Sequence, residues 1–132
     1  MIHPALYIGN SEGRGHGVFT SEDIPEHTVV EISPVIVMKK EERELLDKTL
    51  LHNYIFEWGA EKDNPKAIGC CMALGYVAVY NHSFMSNCEH EMNYEEGTIS
   101  IKTIRNINAG EELFINYNGN WNDAKPLWFD AL

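Results

Sequence analysis

The chain has 132 residues, 44% hydrophobic and 23% charged, which is enough for a single domain with one modest core. Its formal net charge of −10 excludes roles that rest on a basic patch, such as direct nucleic-acid binding or docking on anionic lipid. The same charge suits a basic partner such as a lysine-rich tail.

The opening Met1-Ile2-His3-Pro4-Ala5-Leu6 has neither the basic start nor the apolar run of a secretion signal. Three cysteines, Cys70, Cys71 and Cys88, make an odd set with an adjacent pair, not a disulfide framework. Together these features predict a reducing intracellular location. Ile24-Pro25-Glu26-His27 predicts a turn, and Thr28 to Ile32 a β-rich segment that Pro34 interrupts before a second strand, Val35 to Met38. Lys39 to Leu51 predicts a helix with Leu45, Leu46 and Leu50 as its apolar stripe. A strand follows at Tyr54 to Trp58 and a turn between Glu61 and Lys66.

Ala67 to Cys88 carries no formal charge, but its apolar part ends near Tyr80. About a dozen apolar residues suit a buried core segment better than a bilayer crossing. Thr98 to Thr103 alternates as a half-buried strand does, Asn108-Ala109-Gly110 reads as a turn, and Leu113 to Tyr117 as the last strand. Many short strands, one helix and frequent turns predict a mainly β domain.

Three motifs carry the candidate chemistry. Gly13-Arg14-Gly15-His16-Gly17 lets backbone approach a ligand closely. It is not a dinucleotide loop, because Val18-Phe19 continues it as a strand and not as a helix. Asn81-His82-Ser83 with Asn87 ends the uncharged run, so polar groups meet the edge of the core there and need partners, internal or from a ligand. No G-x-S-x-G elbow accompanies that serine. Gly110-Glu111-Glu112-Leu113-Phe114-Ile115-Asn116-Tyr117 is a turn and a strand ending in a tyrosine. A zinc site from Cys88, His90 and one of the cysteine pair lacks a matching second half, so no metal is expected.

Taken in order, G-x-G-V-F, then N-H-S, then G-E-E-L-x-x-x-Y, the motifs resemble the SET domain. Ala73 to Ser83 is especially similar to the short stand-alone viral and bacterial members. The resemblance spans about residues 5–122, with 123–132 a short C-terminal tail of a single domain. It departs from the family at Ser83-Phe84-Met85-Ser86-Asn87, where a Cys and a Pro are usual, and at Ile115-Asn116-Tyr117, where F-D-Y or Y-D-Y is common. Flanking zinc modules are absent, so Trp121, Trp128 and Phe129 are the candidates for closing the site.

The resemblance implies several small curved sheets with one or two short helices, and a threaded C-terminal segment that meets the Asn81-His82 loop. It implies transfer of a methyl group from S-adenosylmethionine to a protein lysine, on a basic, histone-like substrate. Gly15, His16, Gly17, Asn81 and His82 would hold the cofactor, Tyr117 would be catalytic, and Tyr54, Tyr80, Ile115 and Trp121 would line the lysine channel. The position two before the catalytic tyrosine, here Ile115, would influence how many methyl groups are added. A homodimer is expected, acting in cytoplasm or nucleus, or in a host cell if the source is viral or bacterial. The alternative is an inactive SET-fold module that binds a basic peptide.

Overall fold

The computed structural model describes residues 1–59 and 69–117. Nine strands are described: β1 (Leu6–Ser11), β2 (Gly15–Thr20), β3 (Val29–Met38), β4 (Phe56–Trp58), β5 (Gly69–Ala73), β6 (Asn81–His82), β7 (Cys88–Asn93), β8 (Thr98–Thr103) and β9 (Glu112–Ile115). One α-helix, α1 (Lys40–Leu46), and 3-10 turns at Leu50–Asn53 and Val77–Val79 complete them. The strands form two small sheets, ordered β1-β2-β9-β6 and β4-β5-β3-β8-β7. The mainly β architecture of small sheets with a short helix expected from the motifs is therefore present.

The core is a cluster that includes Val18, Val30, Val77, Tyr80, Ile99, Ile101, Leu113 and Ile115. β8 alternates as its sequence predicts, with Ile99, Ile101 and Thr103 buried and the residues between them half-exposed. The turn at Ile24 to His27 is also present, and His27 takes a left-handed φ of 61°.

Two expectations fail for identifiable reasons. Pro34 does not interrupt β3. The strand changes partners there, pairing with β8 up to Pro34 and with β5 from Val35. A proline lacks only a donor, and its carbonyl still accepts from Leu74 N at 3.0 Å. The predicted helix over Lys39 to Leu51 stops at Leu46, and Thr49 caps the 3-10 turn that follows by accepting from Leu51 N. Cut short, the apolar stripe is only partly used: Leu46 is half-buried, whereas Leu45 is 67% and Leu50 74% exposed. No helix among the described residues is long and apolar enough to cross a membrane.

The placement of β9 matters most for the site. It runs antiparallel to β2, with Val18 opposite Leu113, and parallel to β6, with Asn81 opposite Phe114 and His82 opposite Ile115. Three motifs far apart in the chain thus become three adjacent strands.

Candidate active site

Glycine chemistry decides the first corner. Gly15 opens β2 at a left-handed φ of 76°, a conformation that side chains resist. Gly17 lies where two side chains from distant segments meet. A Cβ there would overlap Glu112 Oε2 and come within 2.9 Å of Asn81 Nδ2. In the space left open, the Asn81 amide donates to Glu112 Oε2 at 2.8 Å and to the His16 carbonyl at 3.0 Å. Ser11 Oγ donates to the other Glu112 oxygen at 2.7 Å. Asn87 clasps the edge of β9, donating to the Glu112 carbonyl at 2.9 Å and accepting from Phe114 N at 2.7 Å. The Arg14 guanidinium lies 5.1 Å from the centre of the Phe114 ring.

The second corner is built on His82 and Tyr117. Tyr117 N donates to His82 Nδ1 at 3.1 Å, so the imidazole proton sits on Nε2. That Nε2 is buried and has no hydrogen-bond partner among the described residues. The His82 ring meets Phe84 edge-on at 4.4 Å and Tyr117 at 5.1 Å. Burial, and then the charge of Arg14, lower the His82 pKa below its ordinary value.

The Tyr117 hydroxyl donates to the Tyr80 carbonyl at 2.6 Å. Burial, reinforced by the phenol of Tyr54, pushes the Tyr117 pKa up to about 12. The group therefore keeps its proton at neutral pH. With that single proton directed at Tyr80, the oxygen can only accept from anything else it meets.

The other predicted residues fall in distinct places. Tyr54 is 43% exposed, close enough to Tyr117 to act on its titration. Tyr80 is 0% exposed, and its hydroxyl donates to Glu31 Oε1 at 2.8 Å. It thus presents its carbonyl, not its hydroxyl, to Tyr117. Ile115 is fully buried in the core, and its carbonyl accepts from Ser83 N at 3.0 Å. Trp121 lies outside the described residues.

Sequence reasoning did not single out Ser11, Glu31, Phe56 or Glu112. Phe56 stands edge-on to Tyr117 at 6.2 Å. Glu112 was visible inside the G-E-E motif, and Glu31 as a charge within an apolar strand; Ser11 carried no signal. The three cysteines are unbridged and buried, and desolvation pushes Cys71 and Cys88 up to about 12, where thiols are unreactive.

Comparison with known proteins agrees with this geometry. The SET domain family model matches residues 15–118. A Schizosaccharomyces pombe histone-lysine N-methyltransferase, specific for H3 lysine-37, is 34% identical over 131 residues, covering 98% of this chain and 80% of its own length. A Plasmodium falciparum protein assigned as a histone methyltransferase superposes with a TM-score of 0.64 at 28% identity, over 91% of this chain and 98% of that one. Chaetomium thermophilum Polycomb Repressive Complex 2, solved in an autoinhibited conformation bound to S-adenosylmethionine, has a similar fold, with a TM-score of 0.69. That match is 24% identical and covers 92% of this chain but 16% of the larger one. On the family match and the extent of the fission-yeast identity, the chain belongs to the SET-domain family and is a protein-lysine N-methyltransferase.

Proposed function

We propose that the chain transfers methyl groups from S-adenosylmethionine to lysine side chains of a histone-like basic protein. One observation carries the reading: β9 brings the Gly15–Gly17 start of β2, the Asn81-His82 strand and Tyr117 together in the arrangement described above. The relatives act on histones by their names, and the net charge of −10 favours a basic substrate. A histone substrate would place the activity in the nucleus.

The residues present fit the cofactor. The Gly15 backbone borders open space, Gly17 leaves room for the Asn81 amide, and His82 Nε2 is a buried polar atom without a hydrogen-bond partner among the described residues. The backbone of Gly15, His16 and Gly17 and the Asn81-His82 pair would hold it. When bound, it supplies a methyl group on a sulfonium centre.

The protein's own part is to align, to dehydrate and to favour a neutral amine. Fixing the reacting groups makes the encounter effectively unimolecular. A free lysine has a pKa of about 10.4, so the neutral amine is scarce at pH 7, and an apolar channel lowers that value. Tyr117 and Phe56, with Tyr54 at the more exposed end, provide such aromatic walls. Tyr117 acts as an oriented hydroxyl and not as a base, since it remains protonated. Its oxygen accepts from the amine while its O–H stays directed at the Tyr80 carbonyl.

The same geometry favours more than one methyl group per lysine. An ordered water that restricts the amine needs about two to four polar partners. Ile115 offers none, and the Tyr80 hydroxyl is engaged by Glu31. The test is incubation with labelled S-adenosylmethionine and core histones, followed by mass spectrometry. Label on a lysine carrying two or three methyl groups is expected. Absence of label on any lysine overturns the activity, and a product that stops at one methyl group overturns the multiplicity.

A further inference from the structure

Glu31 is 0% exposed and is the one fully buried acidic side chain among the described residues. An apolar side chain of similar size would pack there without the cost of desolvating a carboxyl group. What the carboxyl does is gather donors. Oε1 accepts from the Tyr80 hydroxyl at 2.8 Å, and Oε2 accepts from Ser33 Oγ at 2.6 Å and from Tyr76 N at 2.8 Å. Tyr76 and Tyr80 flank the 3-10 turn Val77–Val79, so the carboxyl group holds both ends of that turn. The approach is tight: Gly75 sits at a φ of 71°, and a Cβ there would overlap Ser33 Oγ and Glu31 Oε2.

The turn held in this way ends on the carbonyl that receives the Tyr117 hydroxyl at 2.6 Å. We propose that Glu31 is a positioning residue for methyl transfer, acting through Tyr80 on the direction of the Tyr117 hydroxyl. It rests on the role of Tyr117 given above. Glu31 anchors the far end of the Tyr80 ring, and the anchored ring fixes the Tyr80 peptide. The peptide carbonyl then fixes the direction of the Tyr117 O–H and so the orientation in which its oxygen meets the amine. Burial and the neighbouring Glu31 both raise the Tyr80 pKa, so its hydroxyl remains a donor throughout the working pH range.

The experiment is a double-mutant cycle on kcat, with cofactor affinity and peptide KM measured alongside. Tyr80→Phe removes only the anchoring hydroxyl and keeps both ring and carbonyl. It is expected to lower kcat about tenfold, the loss of one well-placed hydrogen bond, with KM and cofactor affinity within about twofold. Added to Tyr117→Phe, it is expected to cost nothing further, because the hydroxyl it positions is gone. A wild-type kcat in folded Tyr80→Phe overturns the proposal. So does an equal further loss in the Tyr117→Phe background, which is what mere destabilisation would produce. Should Tyr80→Phe melt below the assay temperature, Ser33→Ala removes a donor from the other carboxyl oxygen and is read in the same cycle. A Tyr117→Phe enzyme that turns over like the wild type refutes instead the role of Tyr117, and that single variant tells the two failures apart.

Discussion

Glu112 and Glu31 both gather hydrogen-bond donors from separate parts of the chain, but they work in different surroundings. Glu112 is half-buried at the start of β9, and its donors are the side chains of Ser11 and Asn81. Glu31 is fully buried, and its donors include the backbone of Tyr76. Water can replace a donor lost at Glu112, whereas nothing replaces one lost in the core at Glu31. The rim carboxylate is thus suited to a cofactor that comes and goes, and the core carboxyl to geometry that must hold through every turnover.

The largest expected effect is at the end of the Glu31 branch. Tyr117→Phe should lower kcat by about 10²–10³-fold, the usual cost of one transition-state hydroxyl, while calorimetry finds cofactor affinity near wild type. Equal losses in both quantities would erase the distinction between the two branches. On the Glu112 branch, Gly17→Ala forces a methyl group onto Asn81 and Glu112. Overpacking of this kind should weaken S-adenosylmethionine binding about tenfold, and isothermal titration would show it. Smaller again are Asn81→Ala and Glu112→Ala, each expected to weaken cofactor binding by about fivefold, because solvent repairs part of the damage. Wild-type affinity in both would detach this branch from the cofactor.

The smallest effect concerns acid stability. Burial lowers the pKa of both His82 and His90 in the folded chain. The unfolded chain then binds protons more readily, so the stability of neutral His82 and His90 is complete above the ordinary histidine pKa of about 6.5. It declines as pH falls from there toward the folded values. The melting temperature should drop on acidification below about pH 6.5. His90 Nδ1 is buried and has no partner among the described residues, so His90→Leu should flatten that limb. A variant with an unchanged acid limb would leave His82 or the carboxylates as its source.

Short-range pattern was readable from the chain wherever local physics decides. Ile99 and Ile101 alternate with polar residues and become the buried face of β8, because side chains on a strand point to opposite sides. His27 follows Pro25 and Glu26 into a turn. The glycine cluster, the Asn81-His82 pair and Tyr117 were legible as a set through their order and spacing. The Lys39 to Leu51 helix was misjudged in length because its leucine stripe has the right period and yet leaves Leu45 and Leu50 exposed. β1 and β7 were missed, since Leu6-Tyr7-Ile8-Gly9-Asn10-Ser11 and Cys88-Glu89-His90-Glu91-Met92-Asn93 lack clean alternation.

The sequence by itself determined the mainly β character, the three motifs and the acidic balance, all of which depend on residue type and near-neighbour spacing. Only the tertiary structure decided which of those residues meet. The register of β9 between β2 and β6 sets Asn81 beside Glu112 and Tyr117 beside His82, a matter of pairing across most of the chain. The inward aim of Glu31 is the clearest case. Alternation from Val30 would have turned it to solvent, but the irregularity between Val29 and Glu31 in the pairing with β8 buries both Val30 and Glu31. A bulge re-aims a side chain without changing any residue, and so leaves no trace in composition or period.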